Sequence, residues 1–292
     1  MIGTLIAALA LGAQEAPVAP APPRPVVGVL ADPCAALPPM PAVVAAYMAR
    51  YASAKAANQP PPPVSAEGMA IYQHWQDELR ANDFAGLCRY RAANAALPPA
   101  GKNRIVFFGD SITELWLREA PGFFTADRIN RGISGQTTLQ MSARFRADVI
   151  NLKPAMVHII AGTNDIAGNT GPTSLAAIED NIRSMVELAR AHNIRVVLGA
   201  VPPAARFGWR PSIDPVESID TLNCWLADYA RREKLTFVDY NAILKDRNRA
   251  FRAEWSEDGV HPNKAGYAIM SGIAEKALGV ARNADSVSPP RR

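Results

Sequence analysis

RIVFFGDSITELW, residues 104–116, sets an apolar run directly against Gly109-Asp110-Ser111 and then continues with the look of a helix. A short apolar run closed by a glycine reads as a buried strand, and the glycine lets the backbone turn sharply into the next segment. Ser111 then stands at a helix start. Ser and Asp are favoured helix caps in any protein, so this stretch alone is equally a cap or a nucleophile raised at a strand end. A serine hydroxyl without an adjacent base is a weak nucleophile at neutral pH. Its partners decide the reading.

From residue 102 onward the chain alternates apolar runs with helical patterns. Arg104–Phe108, Ala155–Ala161 (AMVHIIA), Ile194–Val201 (IRVVLGAV) and Leu235–Asp239 are candidate buried parallel strands, with a weaker one at Arg128–Asn130. Between them, Leu175, Ile178, Ile182, Met185 and Leu188 share one helix face, and Val216, Ile219, Leu222, Leu226 and Tyr229 share another. Strand and helix in alternation predict an α/β fold, a mostly parallel five-stranded sheet with helices on both faces. Ligands in such folds gather at the C-terminal edge of the strands, so the segments after each strand carry the functional information.

Those segments are NRGISGQTT after the second strand, AGTND (161–165) after the third, and SEDGVHPN near the C-terminus. Gly132 and Gly135 permit close backbone approach to a ligand, and Asn164 offers an amide donor. Asp258 precedes His261 by three residues, and Pro262 disfavours helical geometry at His261, which places the pair on a loop. Each feature has an ordinary structural reading: a cap, a loop glycine, a turn asparagine, a surface histidine. Together they make one apparatus, in which Ser111 attacks an acyl carbonyl, His261 takes its proton and Asp258 orients the imidazole. The Ser111 and Gly135 N–H groups and the Asn164 side chain would hold the oxyanion. Of the other histidines, His74 and His192 fall in helical patterns and His158 inside a strand, so none competes as the base.

With these blocks the chain resembles the SGNH (GDSL-type) hydrolase family. FFGDSIT matches the first block and carries the nucleophile to Ser111, while NRGISGQTT carries an oxyanion donor to Gly135. AGTNDIAGNTG carries the other donor to Asn164, and SEDGVHPNKAGY carries acid and base to Asp258 and His261. The match spans about residues 102–278 and departs mildly at Ile112, where many members have Leu. The resemblance implies a flavodoxin-like three-layer α/β/α fold, no metal or organic cofactor, and hydrolysis of esters or thioesters. The absence of a Gly-x-Ser-x-Gly elbow argues against the α/β-hydrolase fold.

The rest of the chain bounds the setting. At 292 residues it is long enough for a sizeable core. A net charge of only +4, with scattered arginines, speaks against nucleic acid as a partner. MIGTLIAALALGAQ is too short to span a bilayer but resembles a signal-peptide core, with cleavage before Gln14 and no basic residue ahead of it. Residues 1–13 are therefore expected to direct export to the periplasm or beyond, and 14–41, rich in Pro and Ala, to form a linker. Residues 42–101 are expected as a helical extension, 102–279 as the catalytic domain, and 280–292 as a disordered tail. In the extension, helical patterns cover roughly 42–57 and 66–96, with aromatics that most simply pack. Cys34 and Cys88 could pair in an oxidising compartment, leaving Cys224 alone, or all three could be buried thiols.

Substrate class is the least determined property. Family members act on short-chain esters, carbohydrate O-acetyl groups, lysophospholipids and acyl thioesters. The loop PPAARFGWRPSIDP, residues 202–215, comes after the fourth strand, where Trp209 and Arg210 are candidate substrate contacts or simply packing residues. No long apolar lid pattern interrupts the catalytic region, which favours a small acyl group. The first expectation is a small-molecule or glycan ester. Lysophospholipase, thioesterase or O-acyltransferase activity, and a non-catalytic carbohydrate-binding protein, are the alternatives.

Overall fold

Five strands lie in one sheet in the order β2-β1-β3-β4-β5, every neighbouring pair parallel: β1 (Ile105–Gly109), β2 (Arg128–Gly132), β3 (Met156–Ile160), β4 (Arg195–Gly199) and β5 (Thr236–Val238). The computed structural model describes residues 27–57, 59 and 62–283. The expected signal peptide, the first part of the linker and most of the expected tail lie outside the described residues. The chain divides into two units, Met1–Asn82 and Asp83–Arg292.

In the first unit, α1 (Ala42–Ala56) and α2 (Ala66–Asn82) lie on either side of the Pro-rich stretch that breaks the helical pattern. The Trp75 indole N–H donates to the Pro38 carbonyl at 3.1 Å. Tyr72, one of the aromatics expected to pack, is exposed, and α2 fully buries none of its residues. A pair of helices has too little apolar surface to enclose a stripe of that size.

The second unit holds the sheet. Its helices are α3 (Arg91–Ala95), α4 (Ser111–Glu119), α5 (Thr138–Asp148), α6 (Thr163–Ile166), α7 (Leu175–Ala191), α8 (Val216–Arg232), α9 (Tyr240–Leu244) and α10 (Lys264–Asn283). Period-two alternation sorts the strand side chains into two cores. Val106, Phe108, Val157, Ile159, Val196 and Leu198 pack with the apolar faces of α5, α7 and α8. Ile105, Phe107, Met156, Ile160 and Val197 pack with α4, α9 and α10 on the opposite face. This is the flavodoxin-like three-layer α/β/α sandwich. Both faces are covered, which is why β1, β3 and β4 read as near-continuous apolar runs. Arg104 lies just outside β1: it is buried, and its guanidinium donates to the carbonyls of Leu152 at 2.8 Å and Pro98 at 2.6 Å.

Register places the strand ends level. Gly109 pairs with Gly132 on one side and Ile160 on the other, so the segments after β1, β2 and β3 leave the sheet together. Gly132 is required there, because a Cβ would sit 2.2 Å from the backbone nitrogen of Glu114 in α4. Arg144 of α5, fully buried, fastens this edge from below. Its guanidinium donates to the carbonyls of Gly109 and Arg131 at 2.9 Å each, to Asp148 at 3.0 Å and to the Gln136 side chain at 2.5 Å.

The opposite layer is pinned by aromatics. Trp116 stacks on Phe123 at 5.0 Å and meets Phe107 edge-on at 5.6 Å, while its indole N–H donates to Ser271 at 2.9 Å. Truncating a buried phenylalanine typically costs about 3–5 kcal/mol. Phe107→Ala is therefore expected to lower unfolding free energy by about that much, read as a shift in the urea midpoint at unchanged m; a loss below about 1 kcal/mol would refute the packing role assigned to this ring.

Candidate active site

Ser111 opens α4 with Asp110 as its cap, the Asp110 Oδ1 accepting the Ile112 N–H at 2.9 Å. Ser111 is 9% exposed, and its Oγ stands 2.9 Å from His261 Nε2. His261 Nδ1 lies 2.7 Å from Asp258 Oδ2. A carboxylate only accepts, so Nδ1 carries the proton and Nε2 is left as acceptor for the serine hydroxyl. The structure thus brings Ser111, His261 and Asp258 into one hydrogen-bonded line.

The Asp258–His261 loop is built to hold that line. Asp258 Oδ1 accepts the N–H groups of Val260 and His261 at 2.9 and 2.8 Å. Ser256 donates to the His261 carbonyl at 2.8 Å and accepts the Gly259 N–H at 2.9 Å. Partial burial would raise the Asp258 carboxyl, but the hydrogen bonds and charge of His261 and the Val260 N–H outweigh it and hold it well below the usual carboxylate range. Asp258 therefore stays ionised beside the imidazole.

Gly135 lies beyond β2 in a turn with φ of +80°, and its N–H has no acceptor among the described residues. The Ser111 N–H, in the first turn of α4, has no partner within its helix. On one side the Gly135 turn is held by Ser134, whose N–H and hydroxyl both donate to Glu114. Tyr90 donates to the Gly132 carbonyl just ahead of it, and Gln136 donates to the Ala85 carbonyl at 2.7 Å.

Asn164 sits in the short helix α6 and is 3% exposed. Its amide donates to Asp110 Oδ2 at 3.1 Å and to the Gln136 carbonyl at 3.0 Å, and its Oδ1 accepts from Asn169 at 2.8 Å. Both amide hydrogens are engaged within the protein, so any further acceptor has to compete for one. Burial pushes the Asp110 carboxyl up to about 6, opposed by the Ile112 N–H and the nearby His261.

Trp209 stacks on Phe207 at 5.0 Å and its ring centre lies 6.3 Å from that of His261. Arg210 is exposed on the same turn, and ring contact with the histidine belongs to Trp209 alone of the two. His158 is fully buried in β3, its Nε2 2.9 Å from the Tyr240 hydroxyl, and burial pulls it down to about 3, which keeps it neutral. Among the described residues no three His, Cys, Asp or Glu side chains stand together as a metal site, and no helix is long and apolar enough to cross a membrane. Sequence reasoning did not single out Asn169 or Gln136. Neither has a charge or a distinctive spacing, and only their contacts give them meaning.

A three-layer sandwich with a serine, a histidine and a carboxylate in line at its strand edge defines a class of acyl-group hydrolases. The chain belongs to the GDSL-like lipase/acylhydrolase family, whose profile matches residues 107–269, more than half of its length. It is 45% identical to a GDSL-like lipase of Bacteroides thetaiotaomicron, over 68% of this chain and 99% of that one, with a TM-score of 0.66. It is 27% identical to an acetylxylan esterase of Geobacillus stearothermophilus over 163 residues, 52% of this chain and 71% of that protein. A stretch of 75 residues, 25% of the chain, is 37% identical to the uncharacterized lipoprotein YqeF of Bacillus subtilis, of which it spans 31%.

The depressed Asp258 carboxyl has a thermodynamic consequence. A carboxyl held below its unfolded value stabilises the fold above about pH 3.9, and that contribution is lost as pH falls through the folded value. Guanidinium unfolding measured from pH 6 down to 2 is expected to show wild-type stability falling more steeply than that of Asp258→Asn below about pH 4. Parallel curves would contradict the pairing.

Proposed function

We propose that this protein is a serine esterase that cleaves carboxylic esters through an acyl-enzyme on Ser111, acting on short acyl groups and on O-acetylated carbohydrate in the first place. The observation that carries the reading is the pair of contacts Ser111–His261 at 2.9 Å and His261–Asp258 at 2.7 Å. In the proposed cycle Ser111 Oγ attacks the ester carbonyl carbon as His261 Nε2 takes the hydroxyl proton. Asp258 stabilises the resulting imidazolium. The carbonyl oxygen becomes an oxyanion facing the Ser111 and Gly135 N–H groups and the Asn164 amide. A charged oxyanion is a stronger acceptor than the neutral Gln136 carbonyl, so it draws one Asn164 hydrogen toward itself as charge develops.

Collapse of the tetrahedral intermediate breaks the ester C–O bond, and the imidazolium returns its proton to the departing alcohol. Water then attacks the acyl-enzyme by the same route, with His261 again as base, and releases the acid and free Ser111. The small acyl group is supported by Trp209, which crowds the space beside His261, and by the lack of a long apolar lid pattern. The carbohydrate is supported by the acetylxylan esterase relative. Export to the periplasm or beyond is supported by the apolar N-terminal run, and the lipoprotein relative is compatible with it.

Removing a triad member typically costs on the order of 10⁴-fold or more in kcat. Ser111→Ala is expected to lose p-nitrophenyl acetate turnover on that scale while its circular dichroism stays that of the wild type. Substantial retained turnover would sink the mechanism. Among acyl lengths from acetyl upward, acetylated sugars, a lysophospholipid and an acyl-CoA, the acetyl esters are expected to turn over fastest; preference for a long chain or for the thioester would overturn the substrate assignment.

A further inference from the structure

Beside the oxyanion donors, Asn169 uses every polar atom of its side chain. Its Nδ2 donates to Asn164 Oδ1 at 2.8 Å and to the Gly135 carbonyl at 3.1 Å, and its Oδ1 accepts the Trp209 indole N–H at 3.1 Å. Its backbone N–H also donates to the Asn164 carbonyl, at 3.0 Å. The acyl-enzyme cycle gives this residue no part.

The direction of these bonds follows from the groups at the ends of the row. An indole nitrogen can only donate, so the Asn169 atom facing Trp209 is the oxygen. Its NH₂ group must then face Asn164 and Gly135. Because an NH₂ meets Asn164 there, the Asn164 atom on that side is its oxygen, which turns the Asn164 NH₂ the opposite way, toward Asp110 and the Gln136 carbonyl. The Gly135 and Gln136 carbonyls, which only accept, require the same orientation, so the row has one consistent direction and links an exposed tryptophan to a buried oxyanion donor. Gly135 depends on the same amide. A Cβ built on Gly135 would find only Asn169 Nδ2 within 4 Å, at 3.9 Å, so no packing supports that side of the turn.

We infer that Asn169 is a positioning residue, held by the Trp209 indole N–H, that presets both the Asn164 amide and the Gly135 turn for the oxyanion. The inference deepens the serine-esterase reading and rests on it. Trp209 accordingly has two separable parts, a ring beside His261 and an N–H that acts through Asn169.

The test uses Asn169→Ala, Asn169→Asp, Trp209→Phe and the Trp209→Phe/Asn169→Ala pair, with kcat and KM on p-nitrophenyl acetate. Small misplacements of catalytic groups cost up to about 100-fold, so Asn169→Ala is expected to lower kcat roughly 10- to 100-fold with KM within about twofold. Asn169→Asp is isosteric and still accepts from the indole but donates to neither partner, and should fall at least as far. It also keeps the test open where alanine loosens the turn. Trp209→Phe keeps the ring and lacks the N–H; a kcat loss of about threefold in the wild type should vanish in the Asn169→Ala background.

Wild-type kcat in Asn169→Asp, or a Trp209→Phe loss that simply multiplies with that of Asn169→Ala, would overturn the inference. Ser111→Ala separates the two levels. If it stays active, the esterase reading falls and takes the inference with it. If it is dead while the Asn169 variants keep full kcat, only the inference falls.

Discussion

The buried guanidinium of Arg144 is the constraint around which the functional edge is organised. A fully buried cation is tolerated only when its charge is compensated and its N–H groups are satisfied. Here Asp148 supplies the charge, and the other acceptors come from three separate places: the end of β1, the strand β2 and the turn that leads into α5. Moving any one of them would leave a buried donor unpaired. The positions from which Ser111 and Gly135 depart are therefore fixed by the core rather than by the loops themselves.

That anchoring matters because of where the sheet reverses. With the order 2-1-3-4-5, the chain runs outward to β2 and then back past β1 to β3, and a crevice opens between the ends of β1 and β3. Ser111 comes after the first of these strands and Asn164 after the second. Asn164 lies in a four-residue helix, too short to persist through its own hydrogen bonds. Two buried carboxylates grip it. Asp110 receives the Asn164 amide, and Asp165 receives the N–H and hydroxyl of Thr138 at the start of α5. Burial raises both carboxyls, so the rigidity of this corner is obtained from groups whose ionisation the core resists.

The strands and the long helices were legible in the sequence because burial on both faces, or on one helical face, leaves a periodic apolar pattern. Strand ends shifted by one or two residues, as at Arg104 and Gly132, because hydrogen-bond pairing and not hydropathy ends a strand. The α/β order and the loops bearing Ser111, Gly135, Asn164 and the Asp258–His261 pair could likewise be found from residue types placed after strands. What could not be read was which groups touch across long separations. Arg144 looks like an ordinary helical arginine, and Asn169 like a turn residue between two glycines. Their roles come from partners up to 40 residues away, which no local pattern encodes.

Ser111 shows why capping and chemistry do not exclude each other. Asp110 takes the capping bond to Ile112, which frees the serine hydroxyl to face His261. The same helix start leaves the Ser111 N–H without an intrahelical partner and lends it the positive end of the helix dipole. A helix needs an acceptor for such groups, and an oxyanion needs donors. In GDS each requirement meets the other, so the local preference that made the stretch look like a simple cap is the same physics that equips it to stabilise negative charge. The ambiguity lay in the sequence window, because cap and nucleophile share one backbone geometry. What sets this serine apart from a plain cap is the imidazole of His261, 150 residues further along the chain and 2.9 Å from its hydroxyl.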